Sequence, residues 1–164
     1  MKKQVLAKFI DQTNLKPGQT EQYITEFCKE ADEAGFASVC ILPTLVETAT
    51  SVLKNTNTKV CTVISFPLGM DVPEVKICAT KEAIEKGAEE IDLVLNVCAL
   101  KSGLYNIVNQ ELFGVSQLCH DNGVLLKLII GTPLLNEEQI IKACELAEAN
   151  QVDIVKTSTG FSAM

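Results

Sequence analysis

Six short apolar runs recur along the chain at the spacing of one strand plus one helix, and this repetition limits the fold more than any other feature. Each run is rich in Val, Ile, Leu and other residues that are typical of buried strands. The runs are 8–13, 37–42, 59–66, 90–96, 125–131 and 153–159. The sequence therefore predicts six strands.

Amphipathic stretches lie between these runs. Predicted helices cover 21–34, about 45–54, 74–86, about 105–122 and 136–149. Several end at a glycine, which favours the left-handed conformation that closes a helix. Alternating strands and helices with short connections predict an α/β fold with a parallel sheet, either open and doubly wound or curled into a barrel.

Composition excludes some classes of partner. The 164 residues fit one domain, 1–164, and 47 % of them are hydrophobic, enough for a sizeable core. A net charge of −7 argues against nucleic acid or an anionic membrane as a partner. Lys8 interrupts the short apolar run near the N-terminus, so we predict neither a secretion signal nor a membrane span, and a cytoplasmic location.

Metal-ligating residue types are sparse or scattered. The seven cysteines show no Cys-x-x-Cys spacing and lie mostly in apolar surroundings, so we predict reduced core residues. The one histidine, His120, lies in a polar segment that is typical of a solvated helix end. A zinc or iron site would need scattered thiols and carboxylates, and none is expected.

Ionisable residues interrupt three of the apolar runs: Asp92, Lys127 and Lys156. An unpaired charge in an apolar interior is costly, so these residues are expected to pair with one another. A lysine that is desolvated or held near a second cation loses its proton more easily, and a neutral amine attacks a carbonyl carbon to form a Schiff base. Alternatively, the three residues face solvent at strand ends or form salt bridges that fix the strand register.

Two further groups of polar residues are weaker candidates. Asp11 and Thr13 end the first run and could hydrogen-bond a substrate hydroxyl, although Asp-x-Thr also occurs in ordinary turns. Residues 157–160 form a small polar run that leaves a strand, as a phosphate or carbonyl-oxygen site requires.

Six segments together resemble one enzyme family along nearly the whole chain. They are IDQTNLKP (10–17), GFASVCILP (35–43), KVCTVISFPLG (59–69), GAEEIDLVLNVCALKSG (87–103), LLKLII (125–130) and VKTSTGF (155–161). In their order, spacing and residue identities, these segments resemble deoxyribose-phosphate aldolase, a class I aldolase. The resemblance implies a (β/α)8 barrel that cleaves 2-deoxy-D-ribose 5-phosphate reversibly to glyceraldehyde 3-phosphate and acetaldehyde, without a metal or other cofactor.

The resemblance also implies roles for individual residues. Lys156 matches the Schiff-base lysine, Asp92 the acid/base partner that moves protons through a water, and Lys127 a supporting charge beside them. The substrate pocket of the family is matched by Asp11, Thr13 and Cys40, and the start of its phosphate-contacting segments by Gly160.

The chain ends soon after VKTSTGF, so we expect an incomplete, C-terminally truncated barrel of about six βα units. The open sheet edges of such a barrel predict a homo-oligomer or another association through those edges. Two rival functions stay open. One is an inactive fragment or interaction protein, and the other is a Schiff-base aldolase that acts on unphosphorylated aldehydes.

Overall fold

The computed structural model describes residues 3–161, and the side chains of residues 5–161. Within these residues the helices and strands alternate. The strands are β1 (Asp11–Asn14), β2 (Ser38–Ile41), β3 (Lys59–Ile64), β4 (Glu90–Val94), β5 (Leu125–Ile129) and β6 (Ile154–Lys156). The α-helices are α1 (Lys3–Ala7), α2 (Glu21–Ala34), α3 (Val46–Leu53), α4 (Pro73–Glu85), α5 (Val97–Lys101), α6 (Tyr105–Asp121) and α7 (Glu137–Ala149). Short 3-10 helices cover Pro43–Leu45 and Thr132–Leu134.

The six parallel strands form one sheet in which strand order follows chain order from β1 to β6. Thr13 pairs with Cys40 in the parallel register of β1 and β2, and Cys40 pairs with Cys61 in that of β2 and β3. An open doubly wound sheet reverses its strand order at a switch point. The uninterrupted order therefore decides between the two predicted architectures in favour of barrel-type winding.

The described chain divides into two compact units. The first comprises the chain up to Val63 together with Ala83–Glu90. In this unit α2 begins at Thr20, whose side chain accepts a hydrogen bond from the Tyr23 amide, and ends at Gly35 in the left-handed conformation. Its inner face packs against α3 and β2. That face buries Ile24, Phe27, Cys28 and Ala31.

The second unit comprises Ile64–Glu82 together with the chain from Ile91 onward. Helix α6 contacts β5 and α7, and most of its inward residues are apolar. Helix α5 begins at Asn96, whose side chain accepts a hydrogen bond from the Ala99 amide at 2.9 Å. Asn136 and Gln139 form a reciprocal capping box at the start of α7. These caps fix the residue at which each helix begins.

The predicted α/β class and the six strands are confirmed, with small shifts at their ends. The first strand begins at Asp11 rather than at residue 8, because Phe9 and Ile10 donate backbone hydrogen bonds to Leu6 and Ala7 and continue the turn after α1. The five predicted helices are present within one or two residues. Helices α1 and α5 were not predicted, since five residues are too few to show a helical period.

The interpretation of all seven cysteines as core residues is partly wrong. Cys28, Cys40, Cys61 and Cys119 are buried, whereas Cys78, Cys98 and Cys144 are exposed. In the described part of the chain, no helix has both the length and the apolar content required to cross a membrane.

Candidate active site

Three neighbouring strands of the second unit carry the ionisable residues that interrupt the apolar runs. Asp92 is the third residue of β4, Lys127 the third residue of β5 and Lys156 the last residue of β6. Successive side chains of a strand point to opposite faces, so a charge placed between aliphatic neighbours lies on the other face from them. The local sequence thus separates each charge from its immediate apolar neighbours.

The carboxylate of Asp92 bridges the two amino groups. Its Oδ2 accepts a short hydrogen bond from Lys156 Nζ, and its Oδ1 lies 3.3 Å from Lys127 Nζ. The side chains of Asp92 and Lys127 are 2 % and 6 % exposed. The alternative that these two residues face solvent is therefore wrong, and the predicted pairing of the three charges is what the structure shows.

Lys156 differs from the other two residues because 29 % of its side chain is exposed. In the register of β5 and β6 it pairs with Ile129, two residues beyond Lys127 on the same face of the strand. The amine therefore lies nearer the carboxyl ends of the strands than the ammonium of Lys127 does. A solute can reach Lys156 while Asp92 and Lys127 remain buried behind it.

A cavity of about 290 Å³ lies at the residues that follow these strands. Val94 ends β4, Gly131 follows β5 and Thr159 follows β6, and all three line the cavity. Its other walls are mainly apolar and include Pro67, Leu68, Pro133 and Phe161. Catalytic sites of parallel α/β folds form at this end of the strands.

The remaining predicted site residues occupy defined positions within their own units. In the first unit Asp11 Oδ1 accepts a hydrogen bond from Ser38 Oγ at 2.8 Å, and Thr13 Oγ1 donates to the Asp11 carbonyl at 2.9 Å. Cys40 is buried opposite Thr13. In the second unit Gly160 is exposed after β6 with a φ of 76°. Substrate contacts by these four residues stay a prediction.

Sequence reasoning missed a second buried ion pair, between Lys76 of α4 and Glu111 of α6. Both side chains are 0 % exposed, and Lys76 Nζ lies 2.6 Å from Glu111 Oε2. Burial lowers the pKa of Lys76 and raises the pKa of Glu111, because desolvation disfavours both charged forms, while each opposite charge acts against this shift. Lys76 shares one face of α4 with Thr80 and Ala83, and all three are buried. A face that contains a lysine and a threonine is not an apolar stripe, so the sequence offered no signal of its burial.

Comparison with known proteins agrees with this arrangement. The model of the "DeoC/LacD family aldolase" matches residues 5–164. A deoxyribose-phosphate aldolase of Clostridium perfringens is 52 % identical over 162 residues, which cover 99 % of this chain and 72 % of that protein. One of Thermococcus kodakarensis is 47 % identical over 163 residues, which cover 98 % of this chain and 73 % of that protein.

Solved structures extend the likeness to the fold. A candidate deoxyribose-phosphate aldolase of Coccidioides immitis superposes with a TM-score of 0.94 at 36 % identity, and the match spans 99 % of this chain but only 64 % of that one. The deoxyribose-phosphate aldolase of Aeropyrum pernix, described as a tetramer, superposes with a TM-score of 0.90 at 30 % identity, over 98 % of this chain and 67 % of that one. The chain belongs to the DeoC/LacD family of aldolases.

Proposed function

We propose that this chain is a class I aldolase that cleaves 2-deoxy-D-ribose 5-phosphate reversibly to glyceraldehyde 3-phosphate and acetaldehyde. The observation that carries the proposal is the Asp92 carboxylate, which bridges a buried lysine and a partly exposed lysine. Imine chemistry needs an accessible amine with a proton-transferring group beside it. The names of the relatives support the choice of a phosphorylated deoxysugar as the substrate.

Lys156 is the nucleophile in this proposal. Its neutral amine attacks the aldehyde carbon C1 of the open-chain sugar, and loss of water leaves a protonated imine. Removal of the proton from the C3 hydroxyl then converts that oxygen to a carbonyl. The C2–C3 bond breaks, and its electron pair moves toward the imine to give an enamine. Glyceraldehyde 3-phosphate leaves as the aldehyde product.

Asp92 moves the protons in this sequence. After cleavage, the enamine takes a proton at C2 and becomes the imine of acetaldehyde, which water hydrolyses to acetaldehyde and free Lys156. The carboxylate of Asp92 is hydrogen-bonded to the nitrogen that forms the imine, which supports its assignment as the proton carrier. Lys127 contacts the other carboxylate oxygen and so orients Oδ2 toward Lys156.

Substrate contacts of Asp11, Thr13, Cys40 and Gly160 are part of the same proposal. The mainly apolar cavity beyond the three strands supports the binding of a small carbon chain there. A cytoplasmic location is also proposed, supported by the seven cysteines, which are all free thiols as expected in a reducing compartment.

Borohydride trapping tests the proposed function. The protein is incubated with acetaldehyde and reduced, and the modified peptides are identified by mass spectrometry. We expect an ethyl adduct on Lys156 that is absent from a Lys156→Ala variant and retained by Lys142→Ala, which removes an exposed amine of α7. Labelling that is absent, or spread over surface lysines and unchanged in Lys156→Ala, would contradict the proposal and leave the interaction-protein alternative.

Turnover of two sugars tests the substrate. The proposal expects cleavage of 2-deoxyribose 5-phosphate at a higher kcat/KM than 2-deoxyribose, because part of the binding energy comes from the phosphate. Equal kcat/KM for the two sugars would contradict the phosphorylated substrate and favour the alternative that acts on unphosphorylated aldehydes.

Self-association through β6 completes the proposal. This strand lies at one end of the strand order, and Ile154 and Val155 are 43 % and 40 % exposed. An edge strand with exposed apolar side chains is a template for pairing with another chain. Sedimentation velocity is expected to show a dimer or larger oligomer for the wild type. The Val155→Lys variant should sediment as a smaller species, because it places a charge on the edge strand. A wild-type monomer at every protein concentration would contradict this part.

A further inference from the structure

The buried ion pair of Lys76 and Glu111 lies outside the proposed set of reacting groups. Both side chains are 0 % exposed, so no substrate can touch them. A buried ion pair is weak evidence for stability, because two apolar residues of similar volume often serve as well or better. The contacts that these charges make beyond one another therefore need an explanation.

Both partners hold the backbone just after Asp92. Lys76 Nζ donates to the Val94 carbonyl at 3.0 Å, and Glu111 Oε1 accepts the Asn96 amide at 3.0 Å. Between these two contacts the Leu95 amide donates to the Ile129 carbonyl of β5 at 3.0 Å. Three consecutive residues at the end of β4 are thus held by α4, β5 and α6.

We propose that Lys76 and Glu111 are positioning residues, which fix the end of β4 so that the Asp92 carboxylate stays aligned with Lys156 Nζ. This inference rests on the proposed function, because it assigns the pair to the proton-transfer step of that reaction. Asp92 lies two residues before the held carbonyl of Val94, so movement of that carbonyl is transmitted to Asp92 along the short strand. Lys156 stands on a different strand, β6, which the pair does not contact through any of these hydrogen bonds.

Because Asp92 and Lys156 stand on different strands, loss of the buried pair should affect one reaction step more than another. Imine formation needs the Lys156 amine and can exchange its protons with water, whereas exchange of the methyl protons of acetaldehyde with solvent needs a base held beside C2 of the imine. Loss of the two backbone contacts should slow the exchange and leave imine formation nearly unchanged. A general loss of structure would slow both reactions by the same factor.

Two neutral double variants test this expectation. Lys76→Met/Glu111→Leu removes both backbone contacts, while Lys76→Met/Glu111→Gln keeps an acceptor for the Asn96 amide. The matched control is Lys59→Met/Glu89→Leu, which removes an ion pair with the same 2.6 Å separation whose side chains are 49 % and 46 % exposed. Folding of each variant is verified by circular dichroism and thermal unfolding.

Each variant is then measured in two reactions with acetaldehyde. Borohydride trapping gives the rate of imine formation on Lys156, and proton NMR in deuterium oxide gives the rate of methyl exchange. For Lys76→Met/Glu111→Leu we expect trapping within about threefold of the wild type and exchange slower by about 10- to 100-fold, the range for a small misplacement of a reacting group. This variant should lose more exchange activity than Lys76→Met/Glu111→Gln, and the control should lose none.

Several outcomes would overturn the positioning role. They are unchanged exchange in a folded Lys76→Met/Glu111→Leu protein, equal loss of exchange and trapping, and failure of both neutral variants to fold, since the pair would then be required for folding itself. The proposed function fails separately, in the wild type, if that protein shows neither trapping on Lys156 nor exchange above the protein-free rate.

Discussion

Asp92 Oδ1 lies 3.3 Å from Lys127 Nζ on the neighbouring strand, and both side chains are almost completely buried. The other oxygen of the carboxylate is hydrogen-bonded to Lys156. One negative charge therefore stands between two amines. The stability of this part of the sheet and the proposed chemistry both depend on that carboxylate.

Asp92→Asn is expected to lower the free energy of unfolding by about 3 kcal/mol, because it removes the negative charge from beside a buried cation. Adding Lys127→Met should recover most of the loss. Urea denaturation measures both effects. The control is Glu145→Gln, which removes an exposed ion pair with Lys142 and should lower the free energy of unfolding by less than about 1 kcal/mol. A double variant no more stable than Asp92→Asn would contradict the charge pairing.

The same Asp92→Asn substitution should separate two chemical steps. We expect exchange of the methyl protons of acetaldehyde to slow by about 10²- to 10⁴-fold, the usual contribution of a positioned acid/base group. Trapping on Lys156 should persist, since the amine is retained. Asp121→Asn at the exposed end of α6 serves as the control. Unchanged exchange in Asp92→Asn would remove Asp92 from the mechanism.

The clustering of charged residues on the strands was predictable from the sequence, whereas the burial of an ion pair between two helices was not. A charge inside a strand-like aliphatic run is visible as a local exception, so Asp92, Lys127 and Lys156 could be selected without a structure. Polar residues are expected on the outer face of a helix, so Lys76 and Glu111 looked ordinary. Only the packing of α4 and α6 shows that both side chains point inward.

Helix prediction likewise succeeded only where a local pattern is long enough to be visible in the sequence. Helix α2 was placed correctly because Thr20 and Gly35 cap a full apolar face. Helix α5 was missed because its five residues form little more than one turn, and its start depends on the single Asn96 cap. The pairing of Asp92 with two lysines was expected, but which oxygen faces which amine depends on the register of three strands, which no local pattern determines.

Gly69 should tolerate no side chain, because its backbone approaches the segment that follows β4. A Cβ at Gly69 would lie 2.2 Å from the Leu95 carbonyl oxygen, whereas a Cβ at Gly103 meets nothing within 4 Å. Both glycines have a φ of 71°, so the backbone strain of an alanine is matched. Gly103→Ala should cost about 1 to 2 kcal/mol from that strain alone.

Gly69→Ala adds a steric clash to the same strain. We expect its free energy of unfolding, measured by urea denaturation, to fall at least about 2 kcal/mol further than that of Gly103→Ala. Equal losses in the two variants would show that the chain at Gly69 moves away from Leu95 without cost.

Stability should fall at alkaline pH through the thiol of Cys28. Burial raises the pKa of this thiol from 9.0 to about 11. Below pH 9 both the folded and the unfolded states keep the proton, and between about pH 9 and pH 11 only the folded state does. The contribution of Cys28 is therefore complete below pH 9 and is lost as the pH rises to 11, by on the order of 2 to 3 kcal/mol.

The difference between wild type and a Cys28→Ala variant isolates this effect from the other groups that titrate. Urea denaturation from pH 8 to pH 11 should show a steeper decline for the wild type. Cys78→Ala, which changes an exposed thiol, should follow the wild-type curve. Parallel curves for wild type and Cys28→Ala would contradict the raised pKa.

The capping box of α7 should contribute measurably to the stability of the helix that leads into β6. Asn136 Oδ1 accepts the Gln139 amide at 2.9 Å, and Gln139 Oε1 accepts the Asn136 amide at 3.0 Å. Asn136→Ala is expected to lower the free energy of unfolding by about 1 kcal/mol.

Gln139→Ala should lower the free energy of unfolding by less than Asn136→Ala does. The loss in the double variant should be less than the sum of the two single losses, because each substitution breaks one half of the same reciprocal contact. Glu148→Ala, at an exposed position of the same helix, should change stability by less than about 0.5 kcal/mol. Strict additivity of the two cap substitutions would mean that the two hydrogen bonds form independently.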